Sequence, residues 1–381
     1  MVRARVELTP GRAELTAYFL RLGAVGFGGP IALVGAMERD LVERRRWLTE
    51  EEFREGLTLA QLAPGPLAAQ LAIYVGWLRW RLAGATLVAI AFVAPSLVMV
   101  LGLSVLYVRY GGLPWMAAAF YGIGAAVIAI IARSAVRLAR KTLSKDWLLW
   151  VAFASNALVT AWTASEILWL FLASGSIALV ARGGLIAPRL RTTARVFFPL
   201  PLVALQAAPH LAELFVFFAK ASLVVFGSGL AVVPFLYGVV VQSEGWLNDR
   251  QFLDAVAVSM ITPGPVVITV AFIGYLVRGF DGALIAALGM FLPTYLVVVL
   301  FAPWFQRISR QRAARAFVAG VTAAATGAIA GAAFVLGRRA IVDGTTIAIA
   351  CAALLLLDRR LDVPEPIVIL LAGAAGLVLH A

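Results

Sequence analysis

The sequence predicts an all-α integral membrane protein built from two homologous repeats of inverted topology. Three observations carry that expectation: the composition, an internal duplication, and the placement of basic residues between apolar segments. Of the 381 residues, 62% are hydrophobic and only 14% charged, and the mean hydropathy is +0.94. A soluble domain of this size needs more charge to cover its surface. Apolar stretches of about 17–25 residues, the length at which a helix crosses hydrocarbon, recur from end to end. No long polar region is left to fold as a separate soluble domain.

The formal net charge of +12 does not point to nucleic acid. The basic residues sit in short blocks between apolar segments, as cytoplasmic loops do, without the exposed aromatics that nucleic-acid binding would add. One cysteine, Cys351, and two histidines, His210 and His380, leave little material for a disulfide, a metal centre or His-based catalysis. No metal and no cofactor are expected. Motifs for nucleotide phosphate, a serine nucleophile or a zinc protease are also missing. The chain is therefore expected not to be an enzyme, and any transport it performs must be secondary. The first apolar run, Leu15 to Met37, carries Arg21 and no A-x-A cleavage site, so it is expected to be retained.

The duplication appears when Phe19–Pro66 is laid over Phe218–Pro265. Arg21 then meets Lys220, Phe27-Gly28 meets Phe226-Gly227, Trp47-Leu48 meets Trp246-Leu247 and Glu55 meets Asp254. Pro64-Gly65-Pro66 falls on Pro263-Gly264-Pro265. With one residue removed, Gly76, Gly84 and Pro95 fall on Gly274, Gly282 and Pro293. Apolar text matches by chance at Leu on Val, but not at a tryptophan, a base, an acid and a P-G-P together. Residues 1–182 form the first repeat, 183–210 a proline-rich connector and 211–381 the second.

Each repeat reads as six apolar segments: 15–37, 56–77, 82–108, 115–138, 147–164 and 166–182, then 211–241, 252–277, 280–305, 313–338, 340–357 and 364–380. If the two P-G-P segments dip in and return, each repeat crosses an odd number of times and the second is inverted. Most Lys and Arg then fall on one face, as the positive-inside rule requires. The expectation is about ten spanning helices plus two broken or re-entrant P-G-P segments, with the site where the repeats meet. This arrangement leaves the basic N-terminal tail (Arg3, Arg5, Arg12) outside.

The residues with chemistry cluster at the interruptions. Pro66 and Pro265 favour a helix restart, which aims the free amides of Leu67, Ala68 and Ala69, and of Val266, Val267 and Ile268, at an anion. A kinked spanning helix is the alternative. The run Gly26-Phe27-Gly28-Gly29-Pro30, echoed by Phe226-Gly227-Ser228-Gly229, reads either as unwound backbone facing a substrate or as close helix packing. Gly327 and Gly331 form a G-x-x-x-G read as packing. Arg21 and Lys220 either offset substrate charge or snorkel to the interface. Glu55 and Asp254 either carry a proton or stabilise a helix start. Gln61, Gln70, Ser259, Thr262 and Thr269 supply neutral donors near the breaks.

These residues resemble the chromate ion transporter family of prokaryotes in its long two-domain form. The resemblance rests on Phe27-Gly28-Gly29-Pro30, Trp47-Leu48 with Phe53, Ala60-Gln61 through Pro64-Gly65-Pro66 to Gln70-Leu71-Ala72-Ile73, and Pro95-Ser96. It continues in Phe226-Gly227, Gly229, Trp246-Leu247, Phe252 and Thr262-Pro263-Gly264-Pro265. It implies export of chromate across the cytoplasmic (inner) membrane, driven by the proton-motive force, with sulfate as a competing analogue. The chain departs from the family at Leu33, where a His is usual nearby, at Leu67 and Ala69, where a Thr is usual, and at Met260, where a Gln is common. Import of sulfate or another oxyanion, or a non-saturating anion channel, remains the alternative. Beyond the oxyanion, membrane lipid is the expected partner, and a homodimer is left open. An intramembrane enzyme would need acids, His or Ser clustered at one depth, which the sequence does not show.

Overall fold

The computed structural model describes residues 10–27, 29–110, 113–143, 146–163, 168–182, 209–224, 232–304, 312–358, 361 and 363–379. Fourteen α-helices and no strand occur among them. The first half contains α1 (Arg12–Val25), α2 (Gly29–Met37), α3 (Glu50–Leu62), α4 (Leu67–Tyr110), α5 (Pro114–Leu143), α6 (Trp147–Thr163) and α7 (Leu168–Arg182). The second contains α8 (Pro209–Val224), α9 (Val232–Tyr237), α10 (Asp249–Ile261), α11 (Thr269–Phe301), α12 (Arg312–Ala340), α13 (Gly344–Leu356) and α14 (Glu365–Leu379). Helices of lipid-crossing length and apolarity are α4, α5, α11 with its preceding turn, and α12.

The P-G-P segment of the first half is a hairpin. α3 starts at a capping box in which Thr49 and Glu52 satisfy each other's backbone amides, a device worth about 1 kcal/mol. It stops at Ala63, because Pro64 and Pro66 cannot continue the ladder. The chain turns at Gly65, whose φ of 130° suits glycine alone, and α4 runs back. Arg79 closes the mouth: its Nε donates to the Trp47 carbonyl at 2.8 Å and its Nη1 and Nη2 to the Glu52 carboxylate at 2.9 and 2.6 Å. At 1.5 Å per residue each arm is about 20 Å long, short of the ~30 Å hydrocarbon core. The second half repeats the device with a capping box at Asn248 and Gln251 and a turn at Gly264, φ 97°.

The first apolar run, expected as one crossing, also doubles back. α1 ends at Gly26, where an added Cβ would overlap Leu33 of the returning α2. The ends are drawn together by the Arg45–Glu14 ion pair at 3.9 Å. The Tyr18 ring lies 6.0 Å from that of Trp47, and the Arg45 guanidinium sits 4.7 Å over Trp47. The glycines there permit a reversal, not merely an unwound stretch, so the run expected as one segment forms two helices, α1 and α2.

A further reversal lies inside α4, in the gap expected between segments 56–77 and 82–108. Trp80 and Arg81 leave helical geometry (φ −136°, ψ 25° and φ 49°, ψ −137°). Gly76 and Gly84 then press together so closely that a Cβ on either would overlap the other's carbonyl. In a continuous helix residues eight apart stand about 12 Å apart. α11 repeats this at Arg278 and Gly279 (φ −149°, ψ 29° and φ 63°, ψ −146°), with Gly274 against Gly282. Beyond these turns run the long arms, 82–110 and 280–301.

The long arms of α4 and α11 pass each other in opposite directions. Thr86, early in one, shares a hydrogen bond with Tyr295, late in the other, at 2.7 Å. Around them the halves exchange helix pairs. α6 and α7, joined at their mouth by the Asp146–Arg182 ion pair, pack along α12: Gly327 meets Phe153, Gly331 meets Ala157, and Gly320 meets Ser174. Gly327 and Gly331 thus serve packing, as expected. In turn α14 packs along α5 through Gly376 on Ala118 and Gly122 on Ala372.

Candidate functional site

The interruptions of the two halves meet in the interior. The Gly264 N–H donates to the Gly26 carbonyl at 2.8 Å, so the second P-G-P turn rests on the break between α1 and α2. A Cβ on Gly264 would overlap the Ser96 Oγ, which itself donates to the Gly23 carbonyl at 3.3 Å. Gly65 takes the corresponding place against Thr294: an added Cβ would lie 2.9 Å from the Thr294 Oγ1 and 2.7 Å from the Gln70 Nε2. The Thr294 hydroxyl also pairs with Ser222 at 2.9 Å. Ser96 and Thr294 follow Pro95 and Pro293, so the duplication already held the signal that places them at equivalent positions.

Pro66, Leu67, Ala68 and Ala69 are buried at the start of α4. The Gln70 N–H closes onto the Pro66 carbonyl at 3.0 Å, which leaves the amides of the preceding turn without an intrahelical carbonyl. On the other side Val266–Ile268 form a tight turn before α11. Thr262 and Thr269 are buried, but their hydroxyls donate to the Ser259 and Val266 carbonyls at 3.1 and 2.8 Å. Gln70 is fully buried, and its Nε2 donates to the Pro64 carbonyl at 2.6 Å and the Ala63 carbonyl at 3.3 Å. The three side chains expected as donors to a substrate therefore brace the backbone of their own turns.

The remaining expected residues divide. Pro64, Gly65, Pro66, Pro263, Gly264 and Pro265 lie at the convergence, with Gly29 (φ 71°) and Pro30 half-buried nearby in sequence. Phe27 is 44% exposed. Gln61, Arg21 and Lys220 are exposed. Gly28, Phe226, Gly227 and Gly229 fall outside the described residues. Asp254 is buried and accepts from the Tyr107 hydroxyl at 2.7 Å, a contact between halves that the sequence did not announce. Glu55 is half-buried beside Tyr74 of its own hairpin.

Next to the first turn of α4 opens a groove of about 530 Å³. It is lined by Ala69, Ile73, Phe92, Leu97, Phe291 and Tyr295, among others, and no charged side chain contributes to it. It forms an apolar wall beside the break rather than an anion cradle.

Multi-pass helical membrane proteins that hold interrupted hairpins tip to tip in the interior form a class built around a buried polar backbone, as transporters are. This chain belongs to the chromate transporter family. The family's model matches it twice, over residues 13–179 and 212–377. The chain is 54% identical to a chromate transport protein of Cupriavidus metallidurans over 96% of its own length and 93% of the relative's. It is 52% identical to a probable chromate transport protein of Synechococcus elongatus, covering 96% and 95%. A chromate transport protein of Pseudomonas aeruginosa is 32% identical over 83% of this chain and 79% of its own. No solved structure matches the chain.

Proposed function

We propose that this protein is a secondary transporter that exports chromate, or a related tetrahedral oxyanion, across the cytoplasmic membrane of a prokaryote, coupled to the proton-motive force. The observation that carries the reading is the meeting of helix breaks from opposite halves: Gly264 on Gly26, Gly65 against Thr294, and the bare first turn of α4 beside them. Such a turn offers oriented N–H groups to an anion with no charged side chain. The relatives named for chromate transport supply the substrate class.

Residues 1–182 and 211–381 are read as inverted repeats joined by 183–210. Two contacts support this. The Thr86–Tyr295 bond sets equivalent arms in opposite directions. The hairpin mouth at Trp47 and Arg79 adjoins the start of α4's long arm, whereas Asp254 near the opposite mouth bonds Tyr107 near its end, about 40 Å along at 1.5 Å per residue. Asp254 is the proton-carrying candidate, as a buried carboxylate that accepts a hydrogen bond from a tyrosine of the other half. Glu55 is its less buried counterpart.

The test is flux of radiolabelled chromate and sulfate into inverted membrane vesicles, with and without a proton gradient. Saturable chromate accumulation that collapses with the gradient, and loses gradient dependence in Asp254→Asn, is expected. Flux in the reverse sense would identify an importer, flux proportional to concentration would indicate a channel, and no oxyanion flux would remove the reading.

A further inference from the structure

We propose that the oxyanion enters this site as the protonated monoanion, its hydroxyl donating a hydrogen bond to Gln70 Oε1. The inference deepens the oxyanion-transport reading and rests on it.

Gln70 stands at the first turn of α4 with no solvent exposure. Its orientation follows from its neighbours. The Nε2 lies within hydrogen-bonding distance of two carbonyl oxygens, those of Pro64 and Ala63. Exchanging the two ends of the amide would set oxygen against oxygen, so the NH₂ must face the turn. That leaves Oε1 as the free end, and it is buried with no hydrogen-bond partner among the described residues. A buried acceptor left unpaired is costly, and such an atom in a functional turn calls for a donor from the ligand.

A fully deprotonated tetrahedral oxyanion brings acceptors only. It would satisfy the amides of the first turn and be repelled by Oε1. A monoanion carrying one proton satisfies both: its bare oxygens face the N–H groups and its hydroxyl faces the carbonyl. The corresponding position in the second half, Thr269, has its hydroxyl already paired with Val266, so the demand for a donor arises at one P-G-P turn.

The chemistry separates the candidate substrates. Chromate takes up a proton close to neutral pH, whereas sulfate and selenate do so only in strong acid. The site would then favour chromate through its proton rather than its size. The titratable groups on the elements packed around α4 include Glu55 and Tyr74 one turn further along, Glu52 with Arg79 at the hairpin mouth, Tyr18 on α1, Asp254 on α10 and Tyr295 on α11. A titration of any of these would act on every oxyanion alike.

Equilibrium exchange of radiolabelled chromate in proteoliposomes, with equal pH on both sides, separates the cases. Above the hydrogen chromate–chromate transition the half-saturating total chromate concentration should rise about tenfold per pH unit, because only the protonated fraction binds. Competition by sulfate and selenate should not change over that range, and Gln70→Met should flatten the chromate profile. A flat wild-type profile, sulfate and selenate moving in step with chromate, or an unaltered pH profile in a folded Gln70→Met would each overturn the inference while leaving transport intact. If Gln70→Met does not fold, the wild-type comparison among the three anions decides. No saturable exchange of any oxyanion at any pH would instead overturn the transport reading itself.

Discussion

Gly264→Ala is expected to abolish transport. The φ of 97° at this position is one that L side chains rarely adopt, and strained backbone of this kind costs about 1–3 kcal/mol. The new Cβ would also overlap the Ser96 Oγ and lie 3.3 Å from the Gly23 carbonyl. Relief requires the P-G-P turn to withdraw from α1, which breaks the Gly264 N–H bond to Gly26 and pulls the facing breaks apart. Misplacing a binding group by roughly an ångström costs about 100-fold in rate, so chromate flux should fall by about that factor or more. Gly35→Ala is the control: nothing lies within 4 Å of its added methyl, and flux should match wild type. Flux measured in vesicles at matched protein amounts checks both.

Gly84→Val should prevent folding rather than impair transport. At Gly84 the obstacle is the Gly76 carbonyl, and at Gly76 it is the Gly84 carbonyl, so neither contact can be relieved by a rotamer change. A β-branched residue must pry apart the reversal between the short and long arms of α4, and the loss should exceed about 4 kcal/mol, in the range of the largest single substitutions. Gly282→Val should behave alike, because Gly274 and Gly282 make the same contact. In the same helix Gly102→Ala meets nothing within 4 Å and should raise stability by up to about 1 kcal/mol. Thermal unfolding in detergent and the yield of monodisperse protein separate these outcomes.

The sequence carried the large features because their signals are local. A proline without an N–H stops a helix wherever it sits, so the breaks at Pro64–Pro66 and Pro263–Pro265 could be read directly. The pairing of Trp47 with Trp246 and Glu55 with Asp254 needed only alignment of the chain with itself. The reversals at Trp80–Arg81 and Arg278–Gly279 fall at the gaps read between segments 56–77 and 82–108 and between 252–277 and 280–305; what stayed hidden is the contact of two glycines that closes each one, because glycine in apolar text reads equally as packing. Repeat logic paired Arg21 with Lys220 and left them either facing the substrate or snorkelling to the interface. In a segment apolar all round, periodicity does not tell the inner face from the outer, and both side chains proved exposed. Gln70 was read as a donor to the substrate, whereas the turn it braces already uses its NH₂ group. The Asp254–Tyr107 bond joins residues from different halves, and no spacing rule reaches that far.

The claim that bare amides at an interrupted helix hold the oxyanion is tested most directly by a thiol at that turn. Cys351, the single cysteine, is replaced by serine and Leu67 by cysteine, in a variant that still transports. Saturating chromate should slow modification of this thiol by a small hydrophilic reagent, with half-protection at the concentration that half-saturates transport. Modification at an unchanged rate, while chromate continues to be transported, would contradict the account.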